Sequence, residues 1–122
     1  MPHLTIEYSR NLEDGFALDE TLREVNATLV ASGQIRDELD LKSRIVPLDR
    51  TVVGTAGGQR GFVYCLLRVL PGRSDEVKAE MSERIGVVMR NRIPRPAGTV
   101  VQLSVEIVEM HKPSYVKEVL AA

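Results

Sequence analysis

GFVYCLLRVLPGRS, residues 61–74, carries the strand-to-helix transition on which the fold turns. Apart from Gly61 and Arg68, residues 61–70 are aliphatic, aromatic or sulfur-bearing. Such a run, bounded by turn residues, reads as a strand buried on both faces. Pro71-Gly72 ends it. Ser74 then caps a helix over about 75–92, where Asp75 and Glu76 complement the positive end of the dipole. Val77, Met81, Ile85, Val88 and Met89 form its apolar stripe, and Pro94 and Pro96 stop it. TVVQLSVEIVEM, 99–110, alternates cleanly and makes the last strand.

The upstream half follows the same order. HLTIEY at 3–8 alternates apolar and polar residues as a strand does, and NLEDG at 11–15 is turn-rich. A helix spans roughly 18–32, with Leu18, Leu22, Val25, Leu29 and Val30 on one stripe and Gly33 as its stop. KSRIVPLDRTVV, 42–53, is extended, and Pro47 confines it to an edge or a bulge. GTAGGQRG, 54–61, is a flexible loop. The chain thus divides into two strand–helix halves, starting near residues 3 and 62, with negligible identity between them. The repeat is structural. This predicts an α+β fold with a four-stranded mixed sheet and two helices on one face, in one domain over 1–122. The opposite face would carry apolar side chains with nothing over them, so subunits are expected to associate there in a closed ring.

Composition narrows the function. The 122 residues carry 16 Lys+Arg against 17 Asp+Glu, with 4% aromatic residues and 43% hydrophobic ones. A near-neutral chain with few aromatics lacks the basic face and stacking platforms of a nucleic-acid binder. No apolar run approaches the roughly 18 residues that span a bilayer, and MPHLTIEYSR has neither the basic lead nor the apolar segment of a signal peptide. The lone Cys65 fits a reducing cytoplasm. Only two histidines, His3 and His111, are present, without ligand spacing for zinc. The glycine-rich loop matches neither phosphate-cradling fingerprint.

Chemistry centres on Pro2. Removal of Met1 would expose a rigid secondary amine, whose ordinary value of about 8 falls when it is buried beside cations. An amine so poised can take a proton adjacent to a carbonyl. Arg73, in the turn between a strand and a helix start, could grip a carboxylate bidentately. Lys42 and Arg44, two apart on an extended segment, point the same way and could do likewise.

MPHLTIEYSRNL, KSR at 42–44, GFVY at 61–64, PGRS at 71–74 and LSVEIVE at 103–109, in this order and spacing, resemble the 5-carboxymethyl-2-hydroxymuconate isomerase family of the tautomerase superfamily (4-oxalocrotonate tautomerase-like) over roughly residues 1–110. The resemblance implies a β-α-β repeat, a homotrimer, no metal or organic cofactor, and a role in aromatic compound catabolism. It also implies an isomerase or tautomerase of unsaturated 2-hydroxy or 2-oxo di- or tricarboxylic acids, with Pro2 as acid/base and Arg73 on the substrate. The family carries two arginines flanking a serine where this chain has Lys42 and Arg44; lysine keeps the charge and loses the two-pronged grip. Superfamily relatives imply a second reading, decarboxylation or hydration of small acids (in hydration, Glu7 or Glu106 would activate the water); a third reading is a non-catalytic oligomer that binds small acids, with Met1 retained. The tail HKPSYVKEVLAA, 111–122, departs from the family pattern and is expected either to reach a neighbouring subunit or to fray.

Overall fold

Alternation puts Leu4, Ile6 and Tyr8 on one side of β1 (His3–Ser9), and all three are fully buried. The computed structural model describes residues 1–121. Strand β2 (Lys42–Leu48) pairs with β1 in parallel, from His3 opposite Lys42 to Ser9 opposite Leu48. Strand β3 (Arg60–Val69) runs antiparallel to β1, and β4 (Val100–Glu109) runs parallel to β3. The order β2-β1-β3-β4 sets two β-α-β units side by side in a mixed sheet. Helices α1 (Leu18–Ala31) and α2 (Asp75–Arg92) supply the crossovers. Pro47 lies on β2, an outer strand, where its missing N–H has a free side to face.

The core lies between one sheet face and both helices. Val63, Cys65, Leu67 and Val69 of β3 meet Val25 and Leu29 of α1 and Met81, Ile85, Val88 and Met89 of α2. Arg84 bridges the helices by donating from Nη1 to the Thr28 carbonyl at 3.1 Å. Ser74 Oγ accepts from the Val77 amide at 3.2 Å, the expected cap. Gly33, at φ +80°, takes the left-handed step that releases the chain from α1.

Four expectations need correction. Strand β3 is buried on one face only: Phe62, Tyr64 and Leu66 are half-buried and Arg68 is exposed, because the helices cover only the other side. The open face is not an apolar sheet either. Val46, Phe62, Tyr64, Leu66 and Val108 share it with Thr5, Glu7, Arg44, Arg68 and Glu106, and the Tyr64 hydroxyl bonds to the Glu106 carboxylate. Val30 is 37% exposed, whereas Thr21 is fully buried, its hydroxyl donating to the Ala17 carbonyl at 2.6 Å. The extended segment from 42 ends at Leu48 instead of 53.

Candidate active site

Pro2 continues the inward alternation of β1 and is buried, and its carbonyl accepts the Lys42 amide at 3.2 Å. Because β3 runs antiparallel to β1, with His3 opposite Arg68, the turn that leaves β3 returns to the start of the chain. The segment leaving α1 reaches the same end of the sheet. Arg73 ties these two segments together: Nη2 donates to the Gln34 carbonyl at 2.8 Å and Nη1 to the Leu70 carbonyl at 3.4 Å. Its Nε is buried without a partner among the described residues. A guanidinium carries five N–H groups, so Arg73 braces the turn and keeps donors for a ligand.

Between these segments lies a cavity of about 680 Å³, within the size range of small-molecule sites. Pro2, Gln34, Arg36, Asp40, Arg73 and Lys112 supply its chemistry. Burial, then a hydrogen bond and the charge of Lys42, lower the Met1 amine to about 6. An amine in these surroundings is mostly neutral at pH 7.

The four residues singled out in the sequence therefore part company. Pro2 and Arg73 line one cavity. Lys42 approaches the amine and lines an adjoining cavity of about 500 Å³ with His3, Asp40, Tyr115 and Lys117. Arg44 lines neither; it lies on the open sheet face and donates from Nη2 to His3 Nδ1 at 3.0 Å. With Nδ1 accepting, the neutral His3 ring carries its proton on Nε2, which faces the Tyr115 hydroxyl at 3.3 Å. Burial lowers the His3 pKa, as do Lys42, the amine and Arg44.

Sequence reasoning missed Gln34, Arg36, Asp40 and Lys112. The first three follow the Gly33 stop and so lie where a helix end meets the sheet, a signal that was available. Lys112 belongs to the tail, which has no periodicity to place it. The tail begins with the Met110 amide donating to the Val69 carbonyl at 2.7 Å and makes a short turn at Lys112–Ser114. Tyr115 then packs edge-on to His3, ring centres 6.4 Å apart, and Lys117 pairs with Asp40 at 2.8 Å. Elsewhere, Cys65 is a buried core thiol that burial pushes up to about 12. Among the described residues no group of three or more His, Cys, Asp or Glu is placed to hold a metal ion, and no helix is long and apolar enough to cross a membrane.

The family model described as 5-carboxymethyl-2-hydroxymuconate isomerase matches residues 2–120. Among solved structures, a 5-carboxymethyl-2-hydroxymuconate isomerase from Deinococcus radiodurans R1 is similar at TM-score 0.82 and 28% identity, over 96% of this chain and 88% of that one. A 5-carboxymethyl-2-hydroxymuconate delta-isomerase is similar at TM-score 0.66 and 22% identity, over 100% and 89%. A fused 4-OT described as a symmetric trimer shares the fold at TM-score 0.57 and 15% identity, over 83% and 82%. No curated protein matches by sequence.

Proposed function

Since the chain belongs to the 5-carboxymethyl-2-hydroxymuconate isomerase family and is an isomerase of it, we propose that it shifts a C=C bond in unsaturated 2-hydroxy or 2-oxo di- or tricarboxylic acids, using the amine of Pro2 after Met1 is removed. The observation that carries this reading is the shared cavity of Pro2 and Arg73. The surroundings that lower the Met1 amine, burial first and Lys42 next, are those an amine on Pro2 would meet.

The neutral amine takes a proton from the 2-hydroxyl, or from the carbon next to the 2-oxo group. The electron pair spreads into a dienolate, whose negative oxygen the free N–H groups of Arg73 stabilise. The ammonium then returns the same proton to a more distant carbon. Atoms and electrons balance within the substrate, and no co-reactant is consumed. A positioned base and acid of this kind contributes about 10²–10⁴-fold.

The working assembly in this proposal is a homotrimer closed through the open sheet face. On that mixed face, half-buried Phe62, Tyr64 and Leu66 and the exposed Val46 are the apolar groups that association would cover. The trimer described for the fused 4-OT accords with it.

The test compares protein shown by mass spectrometry to begin at Pro2 with a form bearing an alanine between Met1 and Pro2. Ketonisation of phenylenolpyruvate and isomerisation of a panel of 2-hydroxydienoates are followed by absorbance. The Pro2-terminal form is expected to be active and the blocked form at least a hundredfold slower; equal rates would overturn the mechanism.

A further inference from the structure

We infer that Lys112, supplied by the C-terminal tail, is a specificity residue that binds the carboxylate of the substrate remote from the reacting carbons. The inference rests on reading the cavity as a carboxylate site and names a residue that reading does not use.

Three cations from three separate segments line the cavity: Arg36 after α1, Arg73 between β3 and α2, and Lys112 beyond β4. Like charges brought to one concavity repel unless an anion joins them. The acidic lining residue, Asp40, is already engaged by Lys117 at 2.8 Å. Among the described residues neither Arg36 nor Lys112 has an ion-pair partner. The cavity therefore carries surplus positive charge, which a ligand with more than one carboxylate would offset.

Lys112 differs from the other two in how it is delivered. Its backbone is fixed by the Met110–Val69 hydrogen bond on one side and by the Tyr115–His3 contact on the other. Its exposed ammonium sits on a flexible stem. A point charge on a mobile stem tolerates variation in where the second carboxylate falls, which a fixed guanidinium fork does not. The tail thus brings to the cavity a charge that distinguishes dicarboxylates from monocarboxylates.

The test measures binding without turnover. Adipate and hexanoate, six-carbon saturated acids with no double bond to move, are titrated calorimetrically into Pro2-terminal protein and into Lys112→Met and Lys112→Arg variants of unchanged melting temperature. Wild type is expected to prefer adipate. K112M should weaken adipate about fivefold, the upper range of an exposed ion pair, and hexanoate by less than twofold, while K112R keeps the preference. The effect should fade at high salt. Equal loss for both acids, no loss for adipate, or a wild type without preference would each overturn the assignment. An inactive enzyme that still prefers adipate would defeat the isomerase mechanism alone; an active one without the preference would defeat Lys112 alone.

Discussion

Arg73 and Gln34 are joined by a guanidinium–carbonyl hydrogen bond of 2.8 Å that ties the turn after β3 to the segment after α1. The bond crosses between the two β-α-β units, so a side chain proposed to hold substrate also holds the wall of its own pocket. Anchoring the guanidinium by one edge fixes where its remaining donors point. Such preorganisation is what electrostatic stabilisation of a dienolate requires.

Replacing Arg73 should therefore change stability and chemistry together. Arg73→Ala leaves the Gln34 and Leu70 carbonyls without these donors and is expected to cost about 1–3 kcal/mol in urea unfolding, with a large loss of kcat/KM. Arg73→Lys keeps a charge without the fork, and should recover part of the stability and little of the activity. Unfolding curves of R73A that overlay the wild type would show that the tie carries no weight.

The amine predicts an acid limb in the pH profile. Burial and Lys42 favour the neutral form of the Met1 amine, lowering it from 8 to about 6, and the same surroundings would lower an amine on Pro2. Only the neutral form can accept a proton, so kcat/KM of the Pro2-terminal enzyme should rise with pH along an acid limb that lies below the ordinary amine value of about 8. The limb should move upward in Lys42→Met, which removes the neighbouring cation. A limb near 8 in the wild type would mean that the terminus meets water.

His3 predicts a pH-dependent clasp on the tail. Its ring accepts from Arg44 at Nδ1 and faces the Tyr115 hydroxyl at Nε2, with Lys42, the amine and its β3 register partner Arg68 also nearby. Protonation would place a second N–H against the Arg44 guanidinium. The folded-state pKa lies below the usual 6.5, so the folded protein binds fewer protons than the unfolded chain as pH falls. The stabilisation is complete above about 6.5 and is lost as pH drops toward the folded value. The melting temperature should fall between pH 7.5 and pH 5, and His3→Gln should flatten part of that fall. Unchanged pH dependence in H3Q would rule the clasp out.

Periodicity made most of the frame legible, because burial of a strand or helix stripe is a local property. The alternation of HLTIEY and the stripe from Val77 to Met89 each point at the core they enter. Ser74 and Gly33 mark helix ends through backbone chemistry that acts within a few residues. Depth was less legible. Val30 lies near the α1 stripe yet is partly exposed, and Thr21 takes an inward place because its hydroxyl is satisfied within its own helix. Strand parity correctly aligns Lys42 with Arg44, but parity gives a face and no position along it; one reaches the amine and the other reaches His3. Lys112 joins the cavity through the long return of the tail, which leaves no local pattern.

The open sheet face supplies a prediction that separates assembly from folding. Leu66 lies there, half-buried, between Thr5 of β1 and Glu106 of β4. In an isolated chain, Leu66→Glu at such a surface would change stability by roughly 0.5 kcal/mol. In the proposed trimer the same carboxylate would enter a closed interface close to Glu106, paying desolvation and like-charge repulsion in every subunit. Sedimentation is therefore expected to find wild type at three times the chain mass and L66E as monomer, with the far-ultraviolet spectrum preserved. A wild type that sediments as monomer, or an L66E protein that stays trimeric, would place the subunit contacts elsewhere.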